Sequence, residues 1–213
     1  MNSKDNQILL IESMLFPPVV VMSHISHYKT IIIEACENYQ KKSYRNRFEL
    51  GSVQGPISLS VPLVKGKHQQ QMITKTKICY SENWARTHLR TIQSLYSNSA
   101  YYIHYIDEIK FILSSMTESL YELNYKTLEY LISVCNIRAK LEESIEYQKK
   151  PEGIIDLRNE FKPFQRIDLP EYYQLWQPQH SFISNLSILD VLFHMGPDTP
   201  YYLEEVYQCL IKK

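Results

Sequence analysis

The sequence predicts a mixed α/β protein, in which a mixed β-sheet with a β-α-β opening is followed by a mostly helical C-terminal half. Three observations indicate this class. Two short apolar runs near the N-terminus flank a helix-like segment, a stretch with Gly and Pro separates two further strand-like runs, and from Ser81 onward apolar residues recur at helical spacing.

The first elements form the β-α-β opening. Ile8–Ile11 is apolar enough for a buried strand, and Pro17 and Pro18 precede a helix over Val19–Tyr28, where proline is tolerated in the first turn. The β-branched run Thr30–Glu34 predicts a second strand. A crossover of this kind indicates parallel pairing.

The next two strand-like segments are separated by turn-forming residues. Phe48–Leu50 and Ile57–Leu63 are strand-like and are separated by Gly51, Gly55 and Pro56, which favours a hairpin. Alternation of polar and apolar residues over Thr74–Tyr80 predicts a further half-exposed strand.

The C-terminal half is predicted to be mainly helical. Arg138–Glu143 is a possible strand, and Gln148–Pro170 is polar and proline-bearing, which is typical of a long surface loop. Apolar spacing and capping residues predict five helices, at about 81–97, 101–113, 117–134, 186–195 and 199–211.

Composition limits the class of protein. The chain has 213 residues, 44% hydrophobic and 22% charged, which suits one folded domain over residues 1–213. The longest apolar run, Leu15–Met22, is too short to span a bilayer, and the N-terminal residues do not resemble a secretory signal. Four dispersed cysteines without a C-x-x-C pair fit reduced thiols, so we expect a cytoplasmic protein.

The zero net charge conceals a basic segment that makes up about a quarter of the sequence. Residues 41–90 contain ten Lys or Arg and two acids, a balance of +8 that the rest of the chain offsets. Such a region can attract an anionic small molecule or a sugar nucleotide, although Lys on exposed strands also protects sheet edges. Nucleic-acid binding is a weaker alternative, because it requires these charges to form one continuous face.

Common local motifs are absent. Five glycines supply neither a dinucleotide-binding nor a P-loop pattern, and no nucleophile elbow or H-E-x-x-H motif is present, so the sequence names no cofactor. His24 and His27 have a spacing that could bind a metal, but their predicted helix offers no third ligand, and we predict no metal site.

The segment Glu37–Arg47 is the most informative part of the sequence. It follows a predicted parallel strand, where open α/β sheets collect ligands. We expect a ligand at the carboxyl ends of the first two strands, where Arg45 and Arg47 would bind its phosphate or carboxylate group. The predicted ligand-binding residues are Phe16, Asn38, Tyr39, Arg45, Asn46 and Arg47.

Two residues are predicted to be catalytic. His88 lies on the apolar face of its helix, where burial would keep it neutral for base chemistry, and Asp190 could orient it. The alternatives are a core histidine and, for Ser187 with Asp190, a capping-box pattern at a helix start. Cys36 could act as a nucleophilic thiol, although a buried inert cysteine is the more common case.

Several segments in this order resemble the WbqC-like protein family over nearly the whole chain. The matching segments are FPP at 16–18, ENYQKKSYRNR at 37–47, LSVPLVKGKHQQ at 59–70, Trp84 with His88, Tyr96 and its following helix, and NLSILDVLFHMGP at 185–197. Many members carry a Gln-Pro pair near Phe16 and acids just before Asn38. This sequence instead has Glu12, Ser13, Ala35 and Cys36.

The resemblance implies a cytoplasmic bacterial enzyme of surface polysaccharide (O-antigen-type) biosynthesis that modifies an amino sugar. The expected reaction is acyl or aminoacyl transfer on a sugar nucleotide, with His88 as base and the two arginines binding the anionic donor. The alternative is a non-catalytic carbohydrate- or protein-binding module, since 17 tyrosines supply amphipathic contact surface. The sequence does not indicate the oligomeric state.

Overall fold

The computed structural model describes residues 8–64 and 71–212. Residues 65–70, which include Lys65 and Lys67 and the end of the LSVPLVKGKHQQ segment, lie outside this part of the chain. The strands are β1 (Ile8–Glu12), β2 (Thr30–Glu34), β3 (Arg47–Leu50), β4 (Ile57–Ser60), β5 (Lys140–Glu143) and β6 (Ile155–Asp156). The helices are α1 (Val19–Ile25), α2 (Trp84–Tyr96), α3 (Tyr102–Leu113), α4 (Leu120–Val134), α5 (Ile188–Met195) and α6 (Thr199–Ile211).

A parallel sheet of four strands, in the order β5-β2-β1-β6, forms the centre of the fold. The predicted β-α-β opening is confirmed: β1 pairs with β2 in register from Ile8–Thr30 to Glu12–Glu34. Side chains alternate between the two faces of a strand. Leu9 and Ile11 therefore share one face with Ile31 and Ile33, and all four are nearly inaccessible to solvent.

The predicted hairpin is present as a separate antiparallel pair, β3–β4. Phe48 of β3 is fully buried and packs edge-on against Phe16, with ring centroids 5.0 Å apart. Gly51, directly after β3, approaches the Trp176 ring so closely that a Cβ would lie 1.9 Å from it. A side chain at this position is therefore excluded.

The C-terminal half is mostly helical, as predicted. Helix α2 buries Trp84, His88, Ile92 and Tyr96, which recur every four residues on one face. Its N-cap is Asn83, whose side chain accepts the Arg86 N–H, so the helix starts later than the predicted Ser81. None of the described helices is long and apolar enough to cross a membrane.

One local prediction was wrong and a second was incomplete. Thr74–Tyr80 is not a strand, because Ile73–Lys75 forms a 3₁₀ turn and Lys77 and Ile78 make only isolated bridges. The alternating pattern there reflects the burial of Ile73, Thr76 and Ile78. In addition, the predicted loop over 148–170 contains β6, a two-residue edge strand with exposed side chains that no apolar pattern marks.

Candidate functional site

The two central strands each end in a buried glutamate. Glu12 ends β1, Glu34 ends β2, and the two are directly paired in the register. The carboxyl ends of parallel strands meet at one edge of the sheet, and neighbouring strands are about 4.8 Å apart. Glu12 is 0% exposed and Glu34 is 1% exposed. Two carboxylates are therefore held side by side away from water. Buried charges of this kind must be stabilised by opposite charges or hydrogen-bond donors.

Arg45 supplies one of the positive charges that stabilise these buried carboxylates. Its Nε and Nη2 donate to the two carboxylate oxygens of Glu37 at 2.8 and 2.5 Å, a bidentate pair. Its Nη1 lies 3.8 Å from Glu12 Oε1. The Arg45 side chain is completely buried. Arg45 thus joins the loop after β2 to the end of β1.

The segment after β6 closes the cluster. Arg158 donates from Nη1 to Glu34 Oε2 at 2.6 Å and from Nη2 to Asp156 Oδ2 at 2.7 Å. The backbone N–H of Asn159 donates to Glu12 Oε2 at 2.9 Å, and its Oδ1 accepts from Arg45 Nη2 at 3.1 Å. We call Glu12, Glu34, Glu37, Arg45 and Arg158 the carboxylate–arginine centre.

The centre has more acids than bases. Burial raises the pKa of Glu12 to about 7, an effect that the Arg45 charge only partly opposes. Burial also raises the pKa of Glu37, against the Arg45 hydrogen bonds. Within the described residues, Glu12 Oε1, Arg45 Nη1 and Asn124 Oδ1 are buried without a hydrogen-bond partner. Glu12 Oε1 and Arg45 Nη1 face each other at 3.8 Å, beyond hydrogen-bond distance, and buried polar atoms without a hydrogen bond are rare in folded proteins.

A cavity of about 570 Å³ adjoins this centre. It is lined by residues 36–41, which directly follow β2, and by Tyr147. Glu37 belongs to both structures, since it lines the cavity and holds Arg45. The cavity is of a size that takes a small-molecule ligand, and its lining is rich in polar groups.

The predicted ligand-binding residues occupy different environments. Asn38 and Tyr39 line the cavity, and the Tyr39 hydroxyl donates to Asn46 Oδ1 at 2.9 Å. Arg47 is half-buried, and its charge opposes the burial-induced rise in the pKa of Tyr39. Arg45 lies deeper, and its charge is matched by Glu37 and Glu12. Phe16 is fully buried in the core against Phe48.

The predicted catalytic pair is not assembled. His88 packs against Trp84 and Phe48, with ring centroids 5.2 and 5.9 Å away, and burial lowers its pKa to about 4. Its Nδ1 has no hydrogen-bond partner among the described residues. Asp190 bonds instead to Tyr96, two helical turns further along α2 than His88. Asp190 therefore does not orient His88.

Asp190 belongs to a separate cluster. Its carboxylate accepts hydrogen bonds from the hydroxyls of Tyr96, at 2.7 Å, and Tyr172, and from Gln174 Nε2 at 3.2 Å. Ser187 caps α5 by accepting the Leu189 N–H. The Ser187 part of the predicted capping pattern is thus present, while the Asp190 side chain bonds to other elements.

Sequence reasoning missed most of the carboxylate–arginine centre. The local patterns assign no role to Glu12 or Glu34, and Arg158 and Asn159 fall in a predicted loop. The available signal was that two successive parallel strands each end in Glu. Cys36 is half-buried, lines the cavity and donates its backbone N–H to Glu34 Oε1 at 2.8 Å.

The fold and this centre define the class: an α/β protein with a buried ionic site at the carboxyl edge of a parallel sheet. The chain belongs to the WbqC-like protein family, whose model matches residues 12–163 and 160–202. It is also similar to the uncharacterized protein Rv1507c of Mycobacterium tuberculosis, at 24% identity over 229 residues, which cover 92% of this chain and 97% of that protein. No solved structure gives a significant match.

Proposed function

We propose that this protein is a transferase-like enzyme of bacterial surface polysaccharide biosynthesis. In this proposal it transfers an acyl or aminoacyl group to the amine of an amino sugar carried on a nucleotide. The observation that carries the proposal is the fully buried Glu12 carboxylate, whose Oε1 has no hydrogen-bond partner within the described residues. Membership of the WbqC-like family supports the biosynthetic context.

Glu12 suits the role of general base. An amino-sugar ammonium must lose a proton before its nitrogen can attack a carbonyl carbon, and a base works best when its pKa lies near the operating pH. Burial brings the pKa of Glu12 to about 7. The excess of carboxylates in the centre favours a cationic substrate group. We assign the base to Glu12 rather than His88, because His88 is packed between Trp84 and Phe48.

The reaction balances without a redox partner. Glu12 takes one proton from the ammonium, and the freed nitrogen forms a bond to the carbonyl carbon of an activated acyl donor. The bond from that carbon to the donor's leaving group breaks, and the leaving group departs with the electron pair and takes up the second proton, which the nitrogen loses as the amide forms. The backbone N–H of Asn159 donates to Glu12. The substrate must therefore displace the segment around Asn159 to reach the carboxylate.

The cavity supplies the groups that a sugar nucleotide requires. Asn38 and Gln40 offer amides for sugar hydroxyls, and Tyr147 is an aromatic wall with 54% exposure. Lys41 is exposed at the cavity and can meet a phosphate. We place the reaction in the cytoplasm, in keeping with four free cysteines.

The test compares two buried glutamates. Full-length protein is incubated with nucleotide-linked amino sugars and a panel of acyl-coenzyme A and aminoacyl donors, and products are detected by mass spectrometry. Glu12→Gln should lower the rate at least ~100-fold, as loss of a general base does. Glu49→Gln is the matched control, since Glu49 is 1% exposed and paired with Arg166 but lies outside the centre. Equal losses in both variants would contradict the role of Glu12.

A non-catalytic carbohydrate-binding module is the second candidate. The bidentate Arg45–Glu37 pair already neutralises Arg45, and the cavity combines amides with a tyrosine ring. In that case the same incubations would return the sugar unchanged. Native mass spectrometry would detect its complex with the protein, and Tyr147→Ala would weaken that complex.

A further inference from the structure

A second cleft lies between helices α2 and α3, apart from the carboxylate–arginine centre. Its volume is about 480 Å³. Polar and basic side chains that line it are Asn83, Arg86, Arg90, Gln93, Tyr102, Lys110 and Ser114. None of these seven belongs to the centre or lines the cavity beside it. This cleft has no role in the proposed reaction.

The amphipathic pattern of α2 creates the basic wall. Trp84, His88 and Ile92 face the core, so Arg86 and Arg90, one helical turn apart, share the outer side. Both arginines are exposed, and within the described residues neither makes an ion pair. In a protein of zero net charge, two neighbouring arginines without a counter-ion concentrate positive charge in one place.

Helix α3 supplies the opposite wall. Lys110 bonds to Asp107 on its own helix, at 2.9 Å, and Asp107 is 87% exposed and does not line the cleft. Among the described residues, no acidic side chain lines the cleft. Leu89, Tyr102 and Met116 add apolar and aromatic surface. The cleft therefore combines cations with a surface on which a ring can lie.

We propose that this cleft binds a small phosphate-bearing molecule of nucleotide size. Planar guanidinium groups donate two parallel hydrogen bonds to phosphate, and a lysine adds a point charge. The volume lies within the range of small-molecule sites. A nucleic acid would require a longer basic track, whereas these cations converge on one cleft.

The test measures binding of uridine diphosphate to the full-length protein by isothermal titration calorimetry at low salt. The double variant Arg86→Ala/Arg90→Ala should weaken binding at least ~50-fold, since each charge-assisted contact is worth about tenfold or more. Both side chains are exposed, so the fold should be retained. Arg138→Ala, an exposed arginine elsewhere, is the matched control and should change the affinity less than about twofold.

Two further measurements distinguish binding in this cleft from binding in the cavity and from a nucleic-acid surface. Lys41 lines the cavity where the proposed function places a sugar nucleotide, so the cleft is tested in the Lys41→Ala background. In that background, adding Arg86→Ala/Arg90→Ala should still weaken uridine diphosphate binding at least ~50-fold. Loss of all binding in Lys41→Ala alone would place the nucleotide in the cavity and overturn the proposal. A single-stranded oligonucleotide that binds more than ~10-fold tighter than uridine diphosphate would instead identify a nucleic-acid surface. Unchanged affinity in the double variant would also overturn the proposal.

Discussion

Asp190 and Glu12 are both completely buried acids, yet their surroundings differ. Asp190 receives hydrogen bonds from two tyrosine hydroxyls and a glutamine amide. Glu12 receives one backbone N–H, lies 3.8 Å from an arginine nitrogen, and keeps one oxygen without a hydrogen-bond partner among the described residues. Buried polar groups are normally satisfied, so Asp190 has the surroundings expected of a structural group, whereas the partly satisfied Glu12 is retained at a cost in folding stability. Such costs are expected at functional sites.

The largest expected effect concerns the satisfied acid. Asp190→Ala would leave the hydroxyls of Tyr96 and Tyr172 without their acceptor and remove the hydrogen bond between α5 and α2. We expect the free energy of unfolding to fall by about 3–5 kcal/mol, measured by urea denaturation. Asp107→Ala, at an exposed acid of α3, should change it by less than about 0.5 kcal/mol. Similar small losses in both variants would show that the Asp190 cluster is not structural.

Arg45 and Arg47, two residues apart, provide a second comparison, between a fully buried and a half-buried arginine. Arg45→Ala would leave the buried Glu37 carboxylate without its arginine partner and should lower the free energy of unfolding by about 3 kcal/mol. Arg47 is half-buried, so Arg47→Ala should cost less than about 1 kcal/mol while weakening ligand binding by about 1.5–3 kcal/mol. Urea denaturation and calorimetry separate the two effects. A large stability loss in Arg47→Ala with unchanged ligand affinity would make Arg47 a structural residue as well.

An effect of similar size is expected in the pH dependence of stability. The pKa of Glu12 is about 7 in the folded protein against an ordinary value of 4.5, so the folded state holds the proton more tightly between these pH values. The Glu12 contribution to stability is thus present below pH 4.5 and is lost as pH rises to 7, by about 3 kcal/mol in total. Burial of Glu37 acts in the same direction, and the lowered pKa of His88 acts oppositely.

Comparison with Glu12→Gln isolates this contribution, because both proteins share Glu37 and His88. The stability of the wild-type protein relative to Glu12→Gln should fall between pH 4.5 and 7 and stay constant above about pH 8. Urea denaturation at a series of pH values measures this difference. Parallel curves for the two proteins would contradict a raised pKa for Glu12.

Local patterns predicted the framework of the fold but only part of the site. Apolar runs predicted β1 and β2, and helical spacing predicted the helices, because each pattern reflects burial of one face. Asn38 and Tyr39 could be placed at the cavity because they directly follow a strand end. Arg158 and Asn159 could not, since they reach the centre from a segment more than 100 residues later that carries no periodic pattern.

The role of Arg45 illustrates a second limit. Its sequence context, between Lys42 and Arg47, indicates an anion-binding loop. The fold instead directs it inward to Glu37, eight residues earlier, and to Glu12 on β1. Whether an arginine faces a ligand or a buried carboxylate depends on tertiary contacts that local sequence does not encode.

The most direct test of the contrast between the two acids is the ionisation of Glu12 itself. Protein labelled with ¹³C at glutamate carboxyl carbons is titrated by NMR, and the Glu12 resonance is assigned by its absence in Glu12→Gln. We predict a titration midpoint near pH 7. A midpoint near the ordinary glutamate value of 4.5 would show that the buried carboxylate is fully compensated, and would remove the reason for assigning the reaction centre to Glu12.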